Sequence, residues 1–390
     1  MSADDMTARD PAPSDRRASA VRPYGRVAVL GAGAWGTALA VIAARAGRPT
    51  RLWARDPDQA RAMAESRVNA RRLPGIDLPD ALAPASALAD ALDGAEAVLM
   101  AVPSAAVRDT ARALRGALAP HIPVCLAAKG IEPGSGLLMT EVAAQELAGN
   151  PLAVLSGPNF ADETALGHPT ATTIASECGP VFRRDPGEAV AARLAVTLST
   201  ESFRPYVSDD LVGVEVGGAV KNVVAIAAGI AQGAGFGANT RAALVTRGLE
   251  EMKQLAEALG GRRETVTGLS GMGDLTLTCS SEQSRNFRLG QQLGRGLARD
   301  ACFEGAPVTV EGERAARSVT DLARKHALEL PICEAMRAVL HEGELLPAAF
   351  GRLWGRSLKA EPKALDFELG HPAADGAVAY FEARFDETSA

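Results

Sequence analysis

Apolar residues recur at helical spacing through Val216, Val220, Val223, Val224, Ala227 and Ile230. The stretch Val216–Thr240 therefore reads as a largely buried helix, and it contains a single ionisable side chain, Lys221. Upstream the pattern is different. Short β-rich runs at Arg26–Leu30, Thr50–Ala54, Ala95–Val102, Pro123–Ala128, Leu152–Leu155 and Ala171–Ala175 alternate with helical stretches, which predicts a doubly wound α/β domain. After about Tyr206 the strand signal stops. Helical periodicity continues through Arg241–Leu259, Asn286–Leu297, Glu313–His326 and Cys333–His341, a second and mostly helical domain. The expected organisation is an extension over 1–24, a dinucleotide-binding domain over 25–205, a helical substrate-binding domain over 206–362 and a C-terminal extension over 363–390.

Composition narrows the class. The chain has 390 residues, 47% hydrophobic and 23% charged, with a net charge of −6. That suits two ordinary globular domains and gives no reason to propose nucleic-acid binding or membrane insertion. Five cysteines without close pairs or ligand spacing read as reduced thiols of a cytoplasmic protein, and five scattered histidines indicate no metal site. The first 22 residues carry four Asp and four Arg with no apolar core, the composition of a disordered segment rather than a signal peptide. Val27–Ala44 is uncharged for about the length of a membrane span. Gly31, Gly33 and Gly36 interrupt it, and a strand, turn and helix explain it better.

Those glycines form G-x-G-x-x-G between the first strand and an Ala-rich helix. In that context the first makes the tight turn, the second admits a pyrophosphate and the third packs helix on strand, as in a Rossmann-type domain. The second strand ends in Arg55-Asp56, where an acid would hold the ribose hydroxyls of NADH and an Arg the 2′-phosphate of NADPH. Arg55 comes first, so NADPH is favoured and NADH remains open. Other strand ends carry Pro103-Ser104, Lys129-Gly130 and Ser156-Gly-Pro-Asn159. In the helical half, Gly268–Asp274 is a glycine-rich loop ending in an acid, Ser284 is placed to cap a helix, and Arg285 offers an anion site. Lys221 has no carboxylate at helical spacing. It must snorkel to water, have its pKa lowered, or meet a ligand. With no histidine in a polar motif, lysine is the available acid/base for hydride transfer to a carbonyl.

The motifs G-A-G-A-W-G-T-A-L-A, A-A-K-G-I-E, S-G-P-N-F-A, G-V-E-V-G-G-A-V-K-N-V, G-A-N-T-R-A-A-L-V-T-R-G, G-M-G-D-L-T-L-T-C and Q-S-R-N, spread over Arg26–Glu361, resemble the bacterial NAD(P)-dependent glycerol-3-phosphate dehydrogenases. The resemblance implies reversible reduction of dihydroxyacetone phosphate to sn-glycerol 3-phosphate, feeding phospholipid synthesis, and leaves room for a homodimer. It implies that Lys221 is the proton donor and acceptor, with Lys129 and Asp274 beside it in the catalytic set. Lys129, Gly157, Asn159, Asp274, Ser284, Arg285 and Asn286 fall on substrate positions. Gly31, Gly33, Ala34, Trp35, Gly36, Arg55, Lys129, Ala161, Arg285, Thr309 and Glu311 fall on cofactor positions. Two departures stand out: Asn159 replaces the usual Ser or Thr, and Thr309 replaces a common apolar residue. The other readings are a related 3-hydroxy acid dehydrogenase and a non-catalytic NADPH-binding sensor.

Overall fold

The computed structural model describes residues 21–177, 186–361 and 367–389. Cys178 and residues 1–20 of the expected extension lie outside the described residues. Eight strands form one sheet: β1 (Val27–Leu30), β2 (Thr50–Trp53), β3 (Leu82–Ala85), β4 (Ala97–Met100), β5 (Val124–Leu126), β6 (Leu152–Ser156), β7 (Thr170–Ser176) and β8 (Phe203–Ser208). Their order is β8-β7-β6-β5-β4-β1-β2-β3. Every pairing is parallel except β6 with β7. The six strands from β3 to β6 thus run 3-2-1-4-5-6, and the order reverses between β1 and β4. In sheets of this order ligands lie beyond the strand ends at that reversal. Buried helices Ala34–Arg45 and Val190–Leu198 cover one face, and Val107–Leu114 and Met139–Glu146 cover the other.

Two sheet strands escape the hydrophobic pattern, β3 (L-A-P-A) and β8 (F-R-P-Y-V-S). Both are edge strands and both contain proline, which an edge tolerates because it has fewer N–H groups to satisfy. Because β8 runs to Ser208, the sheet extends past residue 205. At the other end, Tyr24 is buried, donates its N–H to Thr197 Oγ1 at 2.8 Å and lies under the Arg193 guanidinium. Residues 22–24 are therefore packed on the fold rather than part of a free extension.

The helical domain is built around one helix, Leu211–Gly233, capped by Asp210, whose side chain accepts from the Gly213 N–H. It ends earlier than its apolar pattern suggests. Gly235 turns the chain at φ 74°, and a new helix starts at Ala238. The core helix is long and apolar enough to cross a membrane, yet nearly all of it is buried inside the protein. Against it lies the helix Arg285–Gly294. Gly229 and Gly233 on one helix face Gly290 and Gly294 on the other. A Cβ at Gly290 would sit 2.1 Å from the Ile226 carbonyl oxygen, and one at Gly229 would sit 2.2 Å from that of Phe287. Small residues one turn apart on both helices let the backbones touch, which fixes the start of the second helix relative to Lys221.

Two further segments complete this core. After β5 the chain leaves the sheet as a tongue whose Ile131 and Leu138 pair by an antiparallel bridge and are buried among the core-helix residues. The C-terminal extension, to which the sequence assigns no role, forms the helix Ala377–Ser389. Its Phe381 and Phe385 are buried against Phe236 and Phe350 with ring centroids 5.5–5.9 Å apart.

Gly290→Ala tests the helix contact. The added methyl has no room, so the backbones must separate, at a cost of about 1–3 kcal/mol. Denaturant unfolding should register a lower midpoint. A change within about 0.5 kcal/mol, ordinary for a surface substitution, would show that the contact is not tight.

Candidate active site

Lys221 lies on the buried core helix with only 7% of its surface exposed, so it does not snorkel. Its partner comes from elsewhere in the chain. Asp274 follows the turn Leu269–Gly273, a single turn of π-helix, and opens the helix Asp274–Ser280. One carboxylate oxygen of Asp274 pairs with Lys221 Nζ, and the other accepts from Lys129 Nζ at 2.6 Å. No carboxylate stands beside Lys221 on its own helix, and its partner is brought in by the Asp274 turn. The glycines explain how the turn gets so close. A Cβ at Gly217 would lie 2.6 Å from the Ser270 carbonyl oxygen, and one at Gly271 would lie 1.9 Å from that of Val266.

Thr278 completes the arrangement. It accepts from Lys221 Nζ at 3.0 Å and donates to the Asp274 carbonyl at 2.6 Å. Lys129, at the root of the tongue, also approaches the Gly157 carbonyl at 3.4 Å. Burial lowers the Lys221 pKa to about 8, Asp274 opposes that shift, and the like charge of Lys129 adds to it. For Asp274, burial favours the neutral acid, but the two ammonium groups prevail and hold the carboxyl below its ordinary range. The site is therefore an ionised carboxylate shared by two ammonium groups, one of which titrates near neutrality.

Next to Lys221, Asn222 accepts from Asn286 Nδ2 at 2.8 Å, and Asn286 Oδ1 accepts from the Gly312 N–H at 2.8 Å. Asn286 thus ties three helices together. Ser284 caps its helix by accepting from the Phe287 N–H, as its place in the sequence suggests. Arg285, at the first turn, is exposed and has no ion-pair partner among the described residues. Thr309, also exposed, and half-buried Glu311 stand at the start of the helix Glu311–Lys325. Asn159 donates to the Ala171 carbonyl at 3.0 Å, which leaves its buried Oδ1 without a protein partner. The hydroxyls of Ser156, Thr172 and Ser270 are also buried and unpartnered. Ser104 packs against Gly130. Sequence reasoning missed Thr278 and Asn222 as members of the site. The first stands one helical turn after Asp274, and the second adjoins Lys221.

The glycine turn fits a dinucleotide. Gly31 adopts φ 108°, and a Cβ on it would meet the Ala101 carbonyl oxygen at 2.7 Å, so only glycine suits this place. A Cβ at Gly36 would lie 1.8 Å from the Gly31 oxygen, whereas one at Gly33 would meet nothing within 4 Å. The backbone is open on that side, at the start of a helix that has no side-chain cap, the arrangement that receives a pyrophosphate. Ala34, Trp35 and Ala161 are partly buried and each packs against the apolar core that the helix Ala34–Arg45 forms with the sheet. Asn69 braces the turn, donating to Thr37 Oγ1 at 2.8 Å and to the Ala32 carbonyl at 3.1 Å. At the end of β2, Asp56 caps the next helix and pairs with Arg71 at 3.3 Å. Arg55 is exposed, with no ion-pair partner among the described residues. No group of three or more metal-ligating side chains occurs among the described residues.

Family models described as the N-terminus and the C-terminus of NAD-dependent glycerol-3-phosphate dehydrogenase match residues 26–180 and 210–350. The chain belongs to the glycerol-3-phosphate dehydrogenase family. Glycerol-3-phosphate dehydrogenase (NAD(P)+) of Rhodospirillum rubrum is 48% identical over 335 residues, covering 86% of this chain and 93% of the relative. The protein of the same name from Chelativorans sp. is 48% identical over 86% of this chain and 98% of its own length. The crystal structure of glycerol-3-phosphate dehydrogenase from Coxiella burnetii superposes with a TM-score of 0.78 at 39% identity, covering 85% of this chain and 99% of that one. In this chain Lys129, Lys221 and Asp274 meet at one point.

Asp274→Asn should leave two ammonium groups facing each other in a buried space. Removing one partner of a buried ion pair typically costs about 3–5 kcal/mol. With the carboxylate's support gone, the Lys221 pKa should fall below about 8. Competitive acetylation across pH, read by mass spectrometry, would check this, and a midpoint that held or rose would contradict the electrostatic assignment.

Proposed function

We propose that the enzyme reduces dihydroxyacetone phosphate to sn-glycerol 3-phosphate, reversibly and with NADPH preferred over NADH, and that it supplies glycerophospholipid synthesis. The observation that carries this reading is the Lys221–Asp274–Lys129 cluster, buried where the helical domain meets the strand ends. Among the described residues Cys125, Cys279, Cys302 and Cys333 are buried free thiols, which suits a reducing cytoplasm.

The glycine turn, the start of the helix Ala34–Arg45 and Arg55 would hold the dinucleotide, which when bound supplies or accepts the hydride. The chain's own residues handle the rest. Arg285 and the first-turn N–H groups beside Ser284 take the phosphate, a charge-assisted contact at a helix N-terminus. The Asn286–Asn222 bond and the glycine contact between the helices set the distance from that anchor to Lys221. As C2 of the ketone is reduced, negative charge grows on its oxygen, and Lys221 neutralises it by giving up a proton. Asp274 orients Lys221 and keeps it protonated near neutral pH despite burial. Lys129 lends a second positive charge to the same oxygen region. In the reverse direction Lys221 must be neutral to accept the proton. With its pKa near 8, reduction should fall and oxidation should rise as pH passes through about 8. The retained and paired Lys221 and Asp274 speak against a silent NADPH-binding protein.

Lys221→Met is expected to fold, because Asp274 keeps its bond from Lys129. Its kcat for dihydroxyacetone phosphate should drop by at least about 10²-fold, and Lys221→Arg should not restore it, since guanidinium does not release its proton near neutrality. Turnover by purified Lys221→Met within about tenfold of the parent, worth roughly 1.4 kcal/mol, would overturn the role. Cofactor choice is tested at Arg55. Loss of its contact to a 2′-phosphate should cost about 1.5–3 kcal/mol, so Arg55→Ala should raise KM for NADPH far more than KM for NADH. Equal changes would mean that another group reads the phosphate.

A further inference from the structure

Glu215 lies on the core helix with 5% of its surface exposed, and it has no cation partner among the described residues. Both of its oxygens accept from Thr140, and the Met139 N–H also faces the carboxylate. The Thr140 N–H donates to Oε1 at 2.9 Å, and the Thr140 hydroxyl donates to Oε2. Thr140 belongs to the first turn of the helix Met139–Glu146, which the tongue leads into from Lys129. The tongue is thus held at several points. Ile131 and Leu138 are buried in the helical core, Arg108 grips Glu132 at 2.7 and 2.8 Å, and Lys325 Nζ reaches the Ser135 carbonyl at 3.2 Å. Arg108 stands on the nucleotide-binding side and ties the tongue to its own domain. Glu215 ties the tongue's far end to the helix that carries Lys221.

We propose that Glu215, acting through Thr140, is a positioning residue that fixes the Lys129 ammonium against Asp274. The inference rests on the proposed role of the two lysines. A carboxylate buried without a counter-charge is costly, and a helix start can be capped by a neutral Ser or Asn at less expense in desolvation. Burial without a cation raises the Glu215 pKa to about 7, and the nearby charge of Glu141 adds to the rise. What the carboxylate provides in return is two strong acceptors with a fixed spacing, which specify one register between tongue and core helix. Lys129 and Lys221 come from different domains, and this register decides how closely they share Asp274.

A structural cap and a positioning residue differ in what they do to Lys221. Its charged neighbours are Asp274, Lys129 and Glu311, and the buried Cys279 thiol senses its charge. Lys129 is the cation among them, and its like charge holds the Lys221 pKa down. If the tongue loosens and Lys129 retreats, that pressure is relieved and the Lys221 midpoint rises. The test is competitive acetylation of the full chain from pH 6 to about 11, spanning the ordinary lysine range, on Glu215→Gln. It is paired with kcat and KM for dihydroxyacetone phosphate, the dissociation constant for NADPH and a melting curve. The expected result is an upward shift of the Lys221 midpoint and a loss of about tenfold or more in kcat/KM, or roughly 1.4 kcal/mol, with any weakening of NADPH binding reporting the share of Lys129 in the cofactor site. A lower melting temperature with an unmoved midpoint and an unmoved KM would make Glu215 a helix cap and nothing more. Thr140→Val, which deletes only the hydroxyl bond, should move the same midpoint in the same direction by less, and it serves if Glu215→Gln does not fold. The labelling needs no turnover. An inactive parent protein would therefore sink the proposed reaction while the positioning claim was still decided.

Discussion

Two ammonium groups and one carboxylate share a space from which water is nearly excluded. Burial alone would force Lys221 toward its neutral form and Asp274 toward the acid. Together they stay charged, with Lys221 left near its titration point rather than far above it. The surrounding structure serves that balance. Gly217 and Gly271 allow the Asp274 turn to press against the core helix, Thr278 supplies a lone pair to the ammonium, and the tongue delivers Lys129 from the other domain.

The two domains are consequently less separate than a linear division suggests. The sheet carries the glycine turn, and it also sends Ile131 and Leu138 into the helical core. The helical domain carries Arg285, the proposed phosphate anchor, and sets its position through touching backbones at Gly229, Gly233, Gly290 and Gly294. A chemical step that needs a phosphate, a carbonyl oxygen and a hydride donor in one geometry is held by contacts that cross between domains at several points. A single hinge could not provide this.

How much of this was legible in the residues depended on the distance over which each signal acts. The glycine turn, the core helix and the Ser284 cap are local patterns, and they could be read directly. Lys129, Lys221 and Asp274 could be nominated one by one, yet their meeting spans 145 residues between Lys129 and Asp274, and periodicity carries no information over that range. The edge strands at Leu82–Ala85 and Phe203–Ser208 were hidden by Pro84 and Pro205, because a proline argues against a strand unless one knows that it lies at an edge. Glu215 stands one residue before the apolar run that begins at Val216, and nothing in that run gives it a partner. Only the fold reveals that Thr140 stands opposite it.

The C-terminal helix has a consequence for how the molecule is made. Phe236 lies just after the core helix, and its aromatic cover comes from Phe381 and Phe385, far along the chain. During synthesis the sheet can close on itself while the helical core still presents uncovered rings, because domains fold from the N-terminal side as they emerge. Closure of the helical core therefore waits for a segment far downstream of the core helix. Until then the growing polypeptide carries a sticky aromatic surface that chaperones would recognise.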